Sequence, residues 1–201
     1  MASVELTLFP MEPDLSGLNR VKFNSEWRNA SQVRKTTRQY VRSLVQKHYL
    51  KSFPAVVVLT LVMLVRHQSV GVVIFAMPPR ETAIRYGGIT WELARLFILD
   101  EVPRNAETWL LGKAVRYVRR HHAEVRFLVS YADPSFGHSG TIYRAANWQG
   151  DGMTDEGRTT PRSDYVTHAN NKRIHRRSQV RDMDQVQRVP RTSKHRYVWK
   201  F

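Results

Sequence analysis

Apolar residues along this chain switch between strand-like and helix-like spacing, and the pattern predicts a mixed α/β fold. Residues 55–65 and 70–77 are β-branched runs, which predict two strands joined by a hairpin turn at 66–69. Residues 89–99 and 125–130 predict two further strands. A bilayer span needs roughly 20 apolar residues, so the 11-residue run at 55–65 predicts a buried strand rather than a membrane segment.

Helical spacing predicts three helices among these strands. Asn29 and Gln32 form a variant of the capping box, and the apolar stripe that follows predicts a helix over 33–47. Asn105 is the predicted cap of a second helix, which ends at a run of basic residues. Residues 140–148 predict a third helix.

The two ends of the chain have patterns of their own. Residues 4–9 alternate as a first strand would, and residues 194–201 alternate charged and aromatic side chains as an edge strand does. Aliphatic residues become rare after 150, which predicts a core domain at 1–150 and a basic extension at 151–201 whose last strand completes the sheet. The element order favours an α/β (α+β) fold with a mainly antiparallel central sheet flanked by helices.

Charge narrows the choice of partner. The chain carries 32 Lys and Arg against 17 Asp and Glu, a net charge of +15, and it has no cysteine. Such an excess repels itself and favours a polyanion, with double-stranded DNA as the leading candidate and no membrane expected. The other interpretation is a basic protein with no such partner. The predicted phosphate contacts lie in the extension: Lys172, Arg173, Arg176, Arg177 and Arg181.

The densest group of chemically useful side chains lies at 130–148. The segment reads as a strand end, a polar turn and a helix start, and it holds Asp133, His138 and Tyr143. Open α/β sheets place their chemistry at the ends of strands. Asp133 before a proline is also typical of a simple turn, and Tyr143 of a core aromatic, so both interpretations stay open at this point.

Arg95 lies inside an otherwise apolar run, where a buried cation needs a partner. Glu92 is three residues away, and strand alternation would place it on the opposite face. A phosphate or carboxylate partner for Arg95 is therefore expected. His48 ends a predicted helix, where an imidazole either interacts with free carbonyls or serves the site.

The element order resembles that of the GNAT acyltransferase fold, in which a helix N-terminus holds the pyrophosphate of coenzyme A. Separated blocks also resemble the phage Mom DNA-modification family, and they occur in order: Lys47-His-Tyr-Leu50, Arg95-Leu-Phe97, Pro103-Arg-Asn-Ala-Glu-Thr-Trp109, Tyr131-Ala-Asp133, Gly137-His-Ser-Gly-Thr-Ile-Tyr143 and Lys194-His-Arg-Tyr197. The resemblance implies a phage enzyme in the host cytoplasm that modifies adenine N6 in DNA. The implied group is of the carbamoylmethyl type, and it would protect phage DNA from host restriction.

The resemblance also implies roles for single residues. His48, Tyr49, Asp133 and Tyr143 would carry the chemistry, with Tyr143 as a general acid. An acetyl-CoA-like donor would lie against two of the blocks, at Arg95, Leu96, Phe97, Arg104, Asn105, Ala106, Glu107 and Thr108. The glycine-rich pyrophosphate loop of GNAT proteins is absent, and residues 104–108 stand in its place.

An iron hypothesis follows from the side-chain types. His48, Asp133 and His138 would supply two imidazoles and a carboxylate, the set of non-haem iron sites. Two other functions stay open beside DNA modification: a GNAT N-acyltransferase acting on a small amine or protein, and a DNA-binding phage protein without catalysis. The sequence is compatible with a monomer or a homodimer.

Overall fold

The computed structural model describes residues 27–160, 162–168, 173–174 and 186–201. The predicted strand at residues 4–9 lies outside the described residues. Of the five basic residues predicted to contact phosphate, Lys172, Arg176, Arg177 and Arg181 lie outside them too, and only the backbone of Arg173 is described. Within the described ranges, no helix is both long and apolar enough to cross a membrane.

Strands and helices alternate along the described chain. The strands are β1 (Ser31–Lys35), β2 (Val57–Val65), β3 (Gln68–Ala76), β4 (Thr90–Ile98), β5 (Phe127–Ala132), β6 (Gln149–Met153), β7 (Ser163–Thr167), β8 (Arg173–Ile174), β9 (Val186–Pro190) and β10 (His195–Lys200). The helices are α1 (Arg42–Lys47), α2 (Arg80–Tyr86), α3 (Ala106–His121) and α4 (Thr141–Ala145). A short 3₁₀ helix, Pro134–Phe136, follows β5.

The large sheet has seven strands in the order β1-β2-β3-β4-β5-β10-β6. Neighbours from β1 to β4 run antiparallel, and β4 and β5 run parallel. A small antiparallel sheet has the order β8-β7-β9. The mixed, mainly antiparallel sheet with flanking helices confirms the predicted fold class.

The chain divides into two compact units. The first comprises Met1–Ser130, Ile142–Gln149 and Val198–Phe201, and the second comprises Tyr131–Thr141 and Gly150–Tyr197. Each unit therefore contains segments that are distant in sequence, and this division differs from a simple cut after residue 150.

The core of the first unit is built on the β2–β3 hairpin. Eight of the nine residues of β3 are buried, as a central strand covered on both faces requires. Arg66 and His67 form the turn with positive φ angles of 48° and 71°, the backbone of a two-residue turn that matches strand twist. The two predicted strands and the turn between them are confirmed.

Helices α1 and α3 lie on opposite faces of this sheet. A Cβ added at Gly71 of β3 would lie 3.3 Å from Leu110 of α3 and 2.9 Å from Ile98 of β4. Phe97, the preceding residue of β4, instead meets the ring of His48 after α1, with 6.3 Å between ring centroids. Because successive strand residues point to opposite faces, α3 covers one face and α1 the other.

The predicted helix over 33–47 is wrong in its first half. Ser31–Lys35 forms β1 and pairs antiparallel with residues 61–65 of β2. Only Arg42–Lys47 is helical, and there the predicted apolar positions Leu44 and Val45 are buried. A helix at 31–35 would leave the backbone N–H and C=O groups along this edge of β2 without partners, whereas the strand β1 pairs with them. Tertiary context therefore overrides the local helical spacing.

Two further expectations about elements need correction. The last strand, β10, is not an edge strand, because it lies between β5 and β6 in the strand order. Helix α2 was not predicted at all. Its signals were Pro79 just before the first turn and Gly87 after the last, where φ is 62°. The predicted helices near 106 and 141 are confirmed, although α4 is shorter than expected.

In the second unit, the turn after β5 is held against β10. The hydroxyl of Tyr197 donates a hydrogen bond to the carbonyl of Ser139 at 2.9 Å, and its ring lies directly over Gly140. Gly140 has φ +76°, and a Cβ at this position would overlap the Tyr197 ring. Glycine is therefore required here both for the backbone conformation and for space.

We predict that Gly140→Ala destabilises the protein more than Gly137→Ala does. Both glycines have positive φ, at +76° and +73°, but an added Cβ at Gly137 meets no atom within 4 Å. Alanine in the left-handed region costs about 1–2 kcal/mol at either position, and only Gly140→Ala adds the clash with Tyr197. Urea unfolding of both variants measures the difference, and equal losses would contradict the close approach.

Candidate active site

The central strand β4 is incompletely covered, although it lies between two other strands. Residues 94–97 are all partly exposed, whereas the neighbouring strand β3 is almost wholly buried. Among these four residues, Leu96 and Phe97 are apolar side chains that a closed sheet would bury. The partial exposure of a central strand indicates an open cleft over β4.

The cleft exists because β4 and β5 part from each other. Their parallel pairing covers only Thr90–Glu92 against Phe127–Val129. At the next position, the hydroxyl of Ser130 donates to the carbonyl of Leu93 at 2.9 Å. A side chain thus replaces the ladder at this position, and within the described residues the pairing of β4 with β5 does not extend beyond Glu92. A ligand with amide groups can pair with a free strand edge.

Three predicted site residues, His48, Tyr49 and Arg95, lie together on the α1 face of β4. The Nε of Arg95 donates to the carbonyl of Ser52 at 2.8 Å, and its Nη1 donates to the carbonyl of Ala94 at 2.6 Å. Burial lowers the pKa of the Arg95 guanidinium, while Tyr49 and Glu92 act in the opposite direction. Arginine is not deprotonated in proteins, so Arg95 is a cation, and its guanidinium is held by two backbone carbonyls.

His48 lies beside this cation and is almost fully buried, with 6% of its surface exposed. Its ring stacks on that of Tyr49, with 4.2 Å between centroids. The amide of Leu50 donates to Nδ1 of His48 at 3.1 Å, so the proton of the neutral ring lies on Nε2. This arrangement makes His48 a hydrogen-bond donor through Nε2. We refer to His48, Tyr49, Arg95 and Phe97 as the α1-face cluster.

The other predicted cofactor residues belong to the α3 face. Leu96 shares the face of Ile98, because the two are alternate residues of β4. Asn105 is the N-cap of α3, as predicted, but its φ is 70° and its side chain makes no capping hydrogen bond. Glu107 and Thr108 lie in the first turn of this 16-residue helix. First-turn amides at the positive end of a helix dipole suit a phosphate group.

Tyr143 is buried and hydrogen-bonded to Ser130. The two hydroxyl oxygens are 2.8 Å apart, and Tyr143 is 8% exposed. The hydroxyl of Ser130 donates towards Tyr143 and also towards the carbonyl of Leu93, so its single proton is shared between two acceptors. Ser130 was not singled out in the sequence, because its partner Leu93 lies 37 residues away.

Asp133 belongs to the second unit and is a buried, fully engaged carboxylate. Its Oδ2 lies 2.8 Å from Nζ of Lys194. Its Oδ1 accepts hydrogen bonds from the amide and the hydroxyl of Ser135, at 3.1 and 2.6 Å. Burial by itself raises the pKa of Asp133, but the hydrogen bonds from Lys194 and Ser135 outweigh it and hold the pKa below its ordinary value.

A depressed pKa makes Asp133 a weak general base, since an effective base has a pKa near the working pH. Asp133 instead forms an ion pair with Lys194, and it caps the N-terminus of the 3₁₀ helix. Lys194 is a further candidate residue, to which the sequence pattern assigned no role of its own. The signal was the block Lys194-His-Arg-Tyr197, which the structure pairs with the turn through Asp133 and Ser139.

The predicted iron site is not formed. Within the described part of the chain, no three His, Asp or Glu side chains lie together in a way that could hold a metal ion. His48 belongs to the first unit, whereas Asp133 and His138 belong to the second. Both oxygens of Asp133 are engaged by Lys194 and Ser135, which further disfavours it as a ligand.

Comparisons with known proteins agree with this geometry. The sequence profile of the Mom protein family matches residues 30–201. The methylcarbamoylase Mom of Escherichia phage Mu is 33% identical to this chain over 57 residues, which make up 28% of this chain and only 24% of that protein.

Solved structures share the fold. A GNAT family acetyltransferase from Elizabethkingia anophelis, solved with acetyl-CoA bound, aligns with a TM-score of 0.53 and 9% identity over 86% of this chain and 99% of that one. An IAA acetyltransferase from Bacillus cereus aligns with a TM-score of 0.53 and 11% identity over 85% and 99%. At such low identities the likeness establishes a GNAT-like fold and nothing about substrates.

We predict that Asp133→Asn lowers the free energy of unfolding at pH 7 by about 1–3 kcal/mol, since it weakens hydrogen bonds to a charged group. The folded-state pKa of Asp133 is depressed. Its stabilising contribution is therefore present above its ordinary pKa near 4 and is lost as the pH falls through the folded value. The difference between wild type and variant should shrink on acidification.

Urea unfolding at pH 7 and at stepwise lower pH measures this difference. Asp100→Asn is the matched control, because Asp100 is exposed and makes no ion pair within the described residues. An Asp133→Asn deficit that stays constant down to the lowest pH would contradict the assignment.

Proposed function

Because the chain belongs to the Mom protein family, we propose that it is a transferase that modifies DNA. We further propose that the acceptor is N6 of adenine, that the group is of the carbamoylmethyl type, and that the modification protects phage DNA from host restriction. The match to the phage Mu methylcarbamoylase supports this, although it covers about a quarter of that protein. The net charge of +15 supports a polyanionic substrate.

The observation that carries the proposal is the partial exposure of β4 beyond its pairing with β5, in a strand that the chain follows with the N-terminus of α3. Residues 94–97 are partly exposed, and the pairing with β5 stops at Glu92. A coenzyme A thioester fits these groups, since it has both amides for a free strand edge and phosphates for a helix N-terminus. The first turn of α3, after Asn105, would hold the phosphates, and the edge of β4 would hold the amides. When bound, such a thioester would supply a two-carbon unit. Acyl transfer alone would leave an acetyl group on N6, so a carbamoylmethyl product requires chemistry beyond displacement of the thiol.

Within this proposal, the protein's own residues bind, orient and move protons. The hydroxyl of Tyr143 accepts a hydrogen bond from Ser130, in a buried position beside the point where the strands part. A buried tyrosine of this kind can donate a proton to a leaving group. The α1-face cluster offers a cation at Arg95 and an N–H donor at Nε2 of His48 to the acceptor.

The proposed function is tested by mass spectrometry of nucleosides from the DNA of bacteria that express the protein. We expect a modified adenine in wild type, with a mass that identifies the added group. Unmodified adenine in cells that contain folded protein would refute the proposal, and modification of a small amine in the same cells would favour an ordinary N-acyltransferase.

We predict that Tyr143→Phe lowers the amount of modified nucleoside by about 100-fold or more, the scale of general acid catalysis. Tyr40→Phe is the matched control, because the Tyr40 hydroxyl also bonds a buried serine, Ser69, at 3.1 Å in the same unit. Tyr40→Phe should retain modification. Equal activity of the two variants would remove Tyr143 from the chemistry.

We predict that Ser130→Ala lowers kcat about tenfold while KM changes little, because Ser130 orients the hydroxyl of Tyr143 and does not contact substrate. The variant also loses the bond to Leu93, which costs about 1–3 kcal/mol of stability. Ser69→Ala removes the corresponding serine of the Tyr40 pair and is the matched control. Kinetics on folded, purified proteins measure both, and an equal kcat in the two variants would make Ser130 merely structural.

A further inference from the structure

A groove of about 460 Å³ runs between β1 and α3 in the first unit. Arg34 of β1 forms part of one wall, and Lys113, Arg116 and Arg120 of α3 form part of the other. Trp109 and Tyr117 supply aromatic surface along the same helix. The groove is separate from the α1-face cluster, since α3 and α1 cover opposite faces of the sheet.

The charged side chains that line the groove are all positive. Its described lining contains four Lys or Arg side chains and no Asp or Glu. All four cations are exposed, and none of them forms an ion pair with a carboxylate of the described residues. Charges of one sign lining a concave surface focus the electrostatic field and raise the local concentration of anions. The groove is therefore suited to an anionic partner.

The spacing of the cations favours a repeating anion over a single small one. Lys113, Arg116 and Arg120 follow i, i+3, i+7 spacing and share one face of α3. Seven residues of helix span about 10 Å. Successive phosphates of one DNA strand lie farther apart than the axial rise of about 3.4 Å, because the backbone winds around the axis. A row of this length can therefore contact at least two phosphates in succession.

The aromatic residues complete a surface typical of nucleic-acid contact. The ammonium of Lys113 lies 5.0 Å from the centroid of the Trp109 ring, in cation–π geometry. Trp109 also packs edge-on against the buried Trp27, with 5.5 Å between centroids. Trp109 is thereby fixed, and it holds the Lys113 side chain along the wall of the groove.

We propose that this groove binds the phosphate backbone of DNA, outside the cofactor cleft and without reading sequence. The inference rests on the proposed function in taking DNA as the substrate. It adds a binding surface that lies within the first unit and does not require the basic residues of the extension.

The test compares two triple variants that each remove three positive charges. The groove variant is Lys113→Gln, Arg116→Gln and Arg120→Gln. The matched control is Arg42→Gln, Arg80→Gln and Arg126→Gln, at exposed positions that do not line the groove. Fluorescence anisotropy with a labelled 20-base-pair duplex measures affinity over a series of salt concentrations, and thermal unfolding confirms that both variants are folded.

We expect the groove variant to bind at least tenfold more weakly than wild type at 0.1 M salt, by a similar factor for unrelated sequences. Its slope of log K against log salt should fall by about 2 to 3, since each lost phosphate contact removes about 0.9. The control should change affinity by less than about threefold. Equal losses in the two variants, or no loss in the groove variant, would overturn the proposal. If the triple groove variant unfolds, the single charge reversal Arg116→Glu takes its place, with a fall in slope of about 1 expected for one lost contact, and unchanged binding would overturn the proposal.

Failure of this inference and failure of the proposed function give different results. If wild type modifies DNA and the groove variant binds DNA as well as the control does, the groove proposal fails while the proposed function stands. If wild type leaves DNA unmodified and binding still maps to the groove, the proposed function fails and the groove stands.

Discussion

The parting of β4 and β5 is the constraint on which the rest of the site depends. Two parallel strands that separate leave backbone groups without partners, and each such group must find another one or face a ligand or water. Ser130 supplies the partner for Leu93 at the point of separation. Beyond that point, residues 94–97 stay partly exposed in the middle of a sheet. The gap is thus a built feature, stabilised at its closed end by a side chain of β5.

The side chains of β4 next to this gap point alternately to the two faces of the sheet. Alternation along β4 sends Arg95 and Phe97 towards α1 and Leu96 towards α3, so the predicted cofactor block divides between two faces. The positive end of α3 lies on one face, and the cation, imidazole and phenol of the α1-face cluster lie on the other. Tyr143 lies beside the closed end of the gap through its bond to Ser130.

Sequence patterns predicted the elements whose periodicity is local and unambiguous. The two β-branched runs and the stripe of α3 gave β2, β3 and α3, because strands and helices buried on their faces keep their period over many residues. The region 31–35 was misread, since Val33 fits a helical stripe and only pairing with Met63 of β2 makes it a strand. The interior position of β10 could not be predicted, because strand order is a property of long-range pairing. Ser130 and Lys194 were missed for the same reason, as their roles are defined by Leu93 and Asp133, distant in sequence.

The excess positive charge is best understood through the contrast between paired and unpaired cations. Lys194 is neutralised by the buried carboxylate of Asp133, and Arg191 by Asp164 at 2.6 Å, so these charges contribute little to the outer field. Arg95 is held by two carbonyls and is directed into the site. The cations of the β1–α3 groove have no carboxylate partner in the described part of the chain, and their mutual repulsion opposes folding. Within the proposal above, the phosphate backbone of DNA would relieve that repulsion. A polyanion does so most completely, because it neutralises the row while releasing its own counterions.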